Sequence, residues 1–311
     1  MTKYSRDIST QILNKSIKEI KLEKNLENYR DINSFLKSFA VDQNVVLNGK
    51  LVTLEDWKKK RRLRKLPILG FFISMIEFVF LRFLPKVHLF KFLYRIIGFN
   101  SNKFLSKAEI LGRFIYNGFH IISFCQEDGY HSFKIQKTSI GLNNFVPTGF
   151  IISLERLGLN KKKIKVYKIR TMHSYSEYIH KFMISNHGFN SKGKIHNDFR
   201  ITKWGKLLRK FWIDEIPQLY NLLRGDLKIV GIRPVSEAYF NQLPQEIKEN
   251  RLLFKPGCIP PYISLNMKSS VEEVIKADEI YMNEYSKNKF VDFRYFFLAI
   301  YCIIVKSKRS S

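Results

Sequence analysis

The chain has 311 residues and a net charge of +27, from 54 Lys and Arg against 27 Asp and Glu. That length suffices for two ordinary domains, and the excess of cations points to a polyanionic partner: nucleic acid, an acidic membrane face or a phosphorylated substrate. The 27 Phe tilt the balance towards a membrane-surface protein, while three Cys without a Cys-x-x-Cys pair offer no disulfide framework or zinc site and fit a reducing compartment.

The polar start, MTKYSRDISTQILNKS, predicts no cleaved signal peptide. Residues 1–28 read as a loosely packed lead-in with some helix. Asp31–Phe39 is helix-like, and Asn44–Val52 predicts a strand or a hairpin turning at Asn-Gly. Residues 58–65 then place seven cations in eight positions, directly before the apolar run Leu66–Leu84. As a helix this run would reach about 28 Å, close to a hydrocarbon core. Glu77 and Arg82 would each cost roughly 2–3 kcal/mol in mid-bilayer. A half-immersed or re-entrant helix with its basic flank on anionic headgroups is the expectation. A spanning helix and a core helix of a soluble domain are the alternatives. Residues 86–97, KVHLFKFLYRII, continue the theme.

Ser106 with Glu109 three residues later marks a helix start over Leu105–Asn117. Phe119–Phe124 and Tyr130–Lys137 flank Glu127-Asp128-Gly129 as a hairpin. The order helix, Gly-Phe, strand, turn, strand resembles the C-terminal end of a class I methyltransferase-like domain. No Gly-rich strand-turn-helix loop lies upstream to bind S-adenosylmethionine. Residues 1–137 therefore read as a catalytically silent accessory αβ domain with a membrane-interacting segment at 58–97. Residues 138–149, with Gly, Asn and Pro, read as a linker.

The residues from 150 to 311 carry the chemistry. VYKIR alternates, which puts Lys168 and Arg170 on one strand face, as a cationic surface for a diphosphate or as a solvated edge. Asp198, Arg200 and Thr202 follow a polar loop, and Lys203–Lys210 begins a basic helix. Arg209 lies five residues before Asp214, near enough to pair with it or with a phosphate, to which Arg offers a planar fork. Asp214 and Glu215 are the centre of the reading. Neighbouring carboxylates repel and are favourable beside a cation, Mg2+ or arginine, unless they only stabilise a helix N-terminus. An acid pair ringed by arginines is what metal-assisted phosphoryl transfer needs. Gly231 and Pro234 frame Arg233, and Asp278 stands three residues before Tyr281. The seven His show no metal spacing. Tyr295–Val305 is an apolar helix too short to span a bilayer.

Lys168, Arg170, Thr171 and Met172; Asp198, Arg200, Thr202, Gly205 and Arg209; then Asp214 to Leu219, Asn221, Leu223, Gly225, Asp226, Val230, Gly231, Arg233 and Pro234 form one ordered pattern. It resembles the bacterial sugar transferase family, the polyprenol-phosphate phosphoglycosyl transferases, over roughly residues 150–306. Leu154 stands where the family has Gln, Ile232 where it more often has Pro, and Cys258-Ile259-Pro260-Pro261-Tyr262 where it has Thr-Gly-Leu-x-Gln.

The expected fold is α+β: a small accessory αβ domain with a membrane-associated apolar helix, then an α/β catalytic domain at 150–311. The resemblance implies transfer of a sugar 1-phosphate from a nucleotide diphosphate sugar to polyprenol phosphate. The implied setting is the inner face of the cytoplasmic membrane, on an anionic surface, at the start of surface polysaccharide or glycoconjugate synthesis. It implies Asp214 as nucleophile, forming an aspartyl phosphosugar, with Glu215 assisting. It implies Lys168, Arg170, Arg200, Arg209 and Arg233 as phosphate ligands, and Asp214 and Asp278 as carboxylates for Mg2+. The alternative is a catalytically weak membrane-bound homologue serving as scaffold or regulator. No helix-turn-helix, RNA-recognition or zinc signature supports a nucleic-acid partner.

Overall fold

The computed structural model describes residues 17–29, 31–41, 44–56, 72–73, 76, 79–80, 84, 88–97, 105–144, 146–188, 195 and 197–306. The chain divides into two compact units, 1–148 with 173–200, and 149–172 with 201–311. This differs from a single cut at 138–149. Residues 173–200, expected in the catalytic domain, belong to the first unit, where Ile179, Met183 and Ile195 join the main core and Tyr175 packs with Tyr116 and Val146.

In the first unit β1 (Lys18–Lys21), β2 (Val45–Leu51), β3 (Phe119–Gln126) and β4 (His131–Lys137) form a sheet in the order β1-β2-β4-β3. Strand β2 has a neighbour on each edge, and Asn48 and Gly49 sit opposite Lys134 and Phe133. Asn-Gly therefore stays inside a strand and makes no hairpin. The turn at Glu127–Tyr130 does close one, with Glu127 N–H donating to Tyr130 at 2.9 Å. Among the described residues, a single short parallel pair and two antiparallel ladders leave no run of parallel strands of the kind doubly wound folds use. The methyltransferase likeness thus stops short of the sheet.

Helix α1 (Ile32–Lys37) is capped by Asp31, which accepts from Ser34 N–H at 3.0 Å. Helix α2 (His88–Ile96) and the residue after it expose Phe92, Leu93, Ile96 and Ile97. Helix α3 (Lys107–Tyr116) starts where Ser106 Oγ accepts from Glu109 N–H at 3.2 Å. These side-chain acceptors satisfy amides that the first helical turn leaves without partners. Helix α4 (His180–His187) completes the unit.

The core gathers Leu36, Leu47, Leu111, Phe114 and Ile135, all essentially inaccessible to water. Beside it Asp56 accepts from Thr53 N–H at 3.1 Å and Thr53 Oγ–H at 2.8 Å, and meets His131 Nδ1 at 2.6 Å. Burial raises the Asp56 pKa, but these contacts outweigh it and hold the carboxyl below its ordinary range.

No helix among the described residues is long and apolar enough to cross a membrane. The basic cluster at 58–65 and most of the 66–84 run lie outside the described residues. Of that run, Phe72, Ile76 and Phe80 are exposed.

The second unit builds two separate two-stranded sheets rather than one α/β layer, so the chain as a whole is α+β with small sheets. Strands β5 (Ile151–Leu157) and β6 (Lys163–Ile169) are antiparallel, while β7 (Lys228–Val230) and β8 (Gly257–Ile259) are parallel. Around them lie α5 (Lys203–Lys210), α6 (Gln218–Leu223), α7 (Glu237–Asn241), α8 (Gln245–Leu252), α9 (Pro261–Ser264), α10 (Val271–Lys287) and α11 (Val291–Ile304). Tyr281 and Tyr295 fill the space against Val230 and Ile232. Lys228 ties β7 to α10 and α11, bonding Asp292 at 3.0 Å and lying 3.7 Å over the Tyr285 ring. Helix α11 packs Ala299 with Tyr262 and Ile263 of α9, and leaves Phe293, Phe297, Tyr301 and Ile304 exposed.

Candidate active site

The acid pair is placed by a chain of local locks. Thr202 caps α5, its Oγ accepting from Gly205 N–H at 2.7 Å, and its own N–H donates to Thr171 at 3.0 Å. A Cβ on Gly205 would lie 2.0 Å from the Thr171 carbonyl, so only glycine lets α5 approach this closely. Arg209 Nε then donates to Thr171 Oγ1 at 2.9 Å. The chain leaves α5 through Trp212, a non-glycine residue in the left-handed region at φ 60°. That conformation costs about 1–2 kcal/mol, and Trp212 packs against the Tyr262–Ile263 cluster. The following 3-10 turn, Ile213–Glu215, carries both acids.

From the other side, Asn221 of α6 fastens this segment to β6. Its Oδ1 accepts from Tyr167 N–H at 3.0 Å and its Nδ2 donates to the Lys165 carbonyl at 2.7 Å. The side chain takes the role of a strand neighbour, which satisfies backbone groups that would otherwise be orphaned. Lys168, one residue beyond Tyr167, thereby reaches Glu215 Oε1 at 2.6 Å. Glu215 also accepts from Gln218.

Asp214 is buried, and its Oδ1 has no hydrogen-bond partner. Burial, then the charge of Glu215, pushes its carboxyl above the ordinary Asp range; Lys168 and Arg209 pull in the opposite direction. The result is an oxygen held dry, beside two cations, with a lone pair to spare.

Lys168, Glu215 and Gln218 line a cleft of about 280 Å³. Its other walls bring Arg156, Trp212, Arg233, Arg251, Cys258 and Tyr262. Arg233 is aimed by a crossing of two glycines from separate motifs. A Cβ on Gly257 would stand 2.2 Å from Gly231 N, and β7 and β8 bond across this contact, Gly231 N–H to Ile259 at 3.1 Å and Gly257 N–H to Ile232 at 3.0 Å. Burial pushes the Cys258 thiol up to about 12, which disfavours the reactive thiolate.

Other expected residues are placed differently. Arg170 donates from Nε to the Gly149 carbonyl at 3.0 Å, and neither it nor Arg209 is among the cleft-lining residues. Arg200 belongs to the first unit. Its Nε and Nη2 hold Asp198 at 2.8 and 2.7 Å and its Nη1 meets His180 Nδ1 at 3.0 Å, so its guanidinium is engaged within its own motif rather than presented to a phosphate.

Asp278 is not an open ligand either. It is fully buried, paired with Arg251 Nη1, and raised by that burial to about 6. No cluster of three His, Cys, Asp or Glu suited to a metal occurs among the described residues. Arg251 donates its other nitrogen, Nη2, to the Arg233 carbonyl at 2.6 Å. Asp278 thus acts on the Arg233 loop through Arg251, and the Arg233 charge itself also lies within reach of the Asp278 carboxyl. Sequence reasoning passed over Arg156 and Arg251 as site residues. Arg156 had a signal in Glu155-Arg156-Leu157-Gly158, which resembles the family's Q-x-R-x-G entry apart from Leu154 in the Gln place, whereas Arg251 sits in a helix with nothing local to mark it.

In the second unit helices surround two small sheets, and Glu215 of the acid pair lines a basic cleft. The chain belongs to the bacterial sugar transferase family, which residues 139–306, over half its length, match. It is 37% identical over 139 residues to the galactosyl transferase CpsE of Streptococcus agalactiae, covering 44% of this chain and 31% of that protein. It is 35% identical over 154 residues to the uncharacterized sugar transferase EpsL of Bacillus subtilis, covering 49% of this chain and 65% of that one. With the undecaprenyl-phosphate galactose phosphotransferase of Salmonella typhimurium it shares 33% identity over 108 residues, 33% of this chain and 22% of the relative. The chain spans less than two thirds of the length of each.

Proposed function

We propose that this protein transfers a sugar 1-phosphate from a nucleotide diphosphate sugar to a polyprenol phosphate, at the cytoplasmic face of a membrane and at the start of polysaccharide or glycoconjugate assembly. The observation that carries this reading is the buried Asp214 carboxyl with an unpartnered oxygen, in the field of Glu215, Lys168 and Arg209, where Glu215 and Lys168 line a cleft that also holds three arginines. The names of relatives that act on undecaprenyl phosphate support the substrate class.

In this reading Asp214 attacks the sugar-bearing phosphorus. A carboxylate oxygen–phosphorus bond forms, the diphosphate bridge breaks, and nucleoside monophosphate leaves with the electron pair. The phosphate oxygen of the polyprenol then displaces Asp214. Splitting one transfer into two is the usual benefit of a covalent intermediate. Lys168 opposes the rise in the Asp214 pKa and pairs with Glu215, Arg233 faces the transferring phosphate, and Glu215 holds or moves a proton on the incoming phosphate.

Asp214 and Glu215 also suit Mg2+, which takes one or two carboxylates and leaves its other positions to water and substrate phosphates. Bound there, the ion would neutralise charge on the diphosphate oxygens.

The membrane setting rests on exposed apolar side chains beside cations. Phe211, Ile216, Leu219 and Leu223 lie exposed around the acid pair, next to Lys203, Lys206 and Lys210. The exposed face of α11 ends near Lys306. Apolar stripes with basic flanks favour an anionic lipid surface.

The test is purified protein with Mg2+, a panel of labelled nucleotide sugars and undecaprenyl phosphate in vesicles. Nucleoside monophosphate and a labelled lipid should appear together, and Asp214→Asn should stop both. Undiminished turnover by Asp214→Asn would remove the proposed nucleophile.

A further inference from the structure

The cleft carries more positive charge than the acid pair accounts for. Four cations line it: Arg156, Lys168, Arg233 and Arg251. Lys168 is balanced by Glu215 and Arg251 by Asp278. Arg156 and Arg233 remain, and neither has a carboxylate at ion-pair distance among the described residues. Arg156 donates from Nη1 to the neighbouring Glu155 carbonyl at 2.8 Å, while the Glu155 carboxylate is taken by Lys163 at 3.1 Å.

These two guanidiniums are held in each other's field by the backbone. Leu157 N–H donates to the Val235 carbonyl at 2.9 Å, an isolated antiparallel bridge that fastens the end of β5 to the loop bearing Arg233. On its other flank that loop is gripped by Arg251 Nη2 at the Arg233 carbonyl, 2.6 Å away. Burial, and then the charge of Arg233, pull the Arg156 pKa below the ordinary guanidinium value. Two half-buried like charges in a rigid frame are unfavourable until an anion lies between them. Two planar forks lining one cleft match an anion with two charged, oxygen-rich centres.

We infer that Arg156 and Arg233 form a clamp for the diphosphate of the nucleotide donor. This deepens the transferase reading and rests on it. Asp214 is then left to meet the sugar-bearing phosphorus while Arg156 and Arg233 hold the two phosphates in line. Arg156 is a binding residue, and Arg251 with Asp278 is the buried anchor that sets the position of its partner.

Calorimetric titration with inorganic pyrophosphate and uridine diphosphate tests the clamp without needing turnover. Arg156→Gln and Arg233→Gln should each weaken both ligands about tenfold or more. Arg156→Lys should recover only part of that loss, since it restores charge but not the fork. Lys276→Gln, an exposed loss of equal charge on α10, should leave affinity within twofold. A short-chain polyprenyl phosphate in detergent separates the two phosphate sources and should bind Arg156→Gln nearly as well as wild type. Far-ultraviolet circular dichroism and melting confirm that each variant folds.

The clamp is overturned if Arg156→Gln keeps wild-type affinity for both diphosphates, if it weakens only the polyprenyl phosphate, or if the wild type binds neither diphosphate. Turnover with an unchanged donor KM in Arg156→Gln would remove the clamp and leave the transferase reading standing. Arginine-dependent pyrophosphate binding with no turnover on any donor would do the reverse.

Discussion

Replacing Lys168 by Met is the sharpest probe of the acid pair, because it removes one charge and little volume. Lys168 Nζ stands 2.6 Å from Glu215 Oε1, with the two side chains 23% and 14% exposed. At an effective dielectric near 20 such a contact is worth roughly 6 kcal/mol before desolvation. Exposed pairs retain under about 1 kcal/mol net, and breaking fully buried ones costs about 3–5. This half-buried pair falls between, so Lys168→Met should lower stability by about 1–3 kcal/mol.

The larger effect should be on rate. The larger of the two charges pulling the Asp214 pKa down would be gone, and so would one preorganised cation of the cleft. Losing a single such group costs about 10²–10³ in kcat. Nucleoside monophosphate release reads the rate and thermal melting reads the stability. The double variant Lys168→Met/Glu215→Gln should lose less stability than the two single variants summed, by about 1–3 kcal/mol. Turnover of Lys168→Met within threefold of wild type would refute the argument that this cation sustains the acid pair.

Three further outcomes are expected. Asp214→Asn should abolish turnover yet melt no lower than wild type at neutral pH. A raised carboxyl pKa means the folded state favours the neutral acid, so ionisation costs stability as pH rises through it and the amide escapes that cost; a clear drop in melting temperature would contradict this. Gly257→Ala should destabilise by about 1–3 kcal/mol or prevent folding, because its methyl group would meet backbone at Gly231 N and Val230 rather than a movable side chain; wild-type melting would show the β7–β8 crossing to be looser than described. Asp56→Asn should cost about 3 kcal/mol at neutral pH and flatten the acid limb of stability. The lowered Asp56 pKa contributes stability above its unfolded value, near 4, and that contribution is lost as pH falls through the folded value. Chemical denaturation between pH 3 and 7 reads both effects.

Much of the local structure, and the identity of the acid pair, was legible in the chain because the signals act over a few residues. Asp31 and Ser106 cap the helices that follow them, and the 127–130 turn joins β3 to β4. The adjacency of Asp214 and Glu215 is itself sequence, and the spaced pattern from Lys168 to Pro234 was enough to point to the family that residues 139–306 match.

The partners of the charged side chains were decided only in three dimensions. Arg200 turned to Asp198 and His180, Asp278 was enclosed with Arg251, and Arg156 was brought to Arg233 across a bridge joining residues 157 and 235. Residues 173–200 left the catalytic segment for the first unit because their buried apolar side chains fit its core. A cation's place in the sequence says that it carries charge. Which anion it meets depends on desolvation and on packing between segments tens of residues apart, and no short-range pattern encodes either.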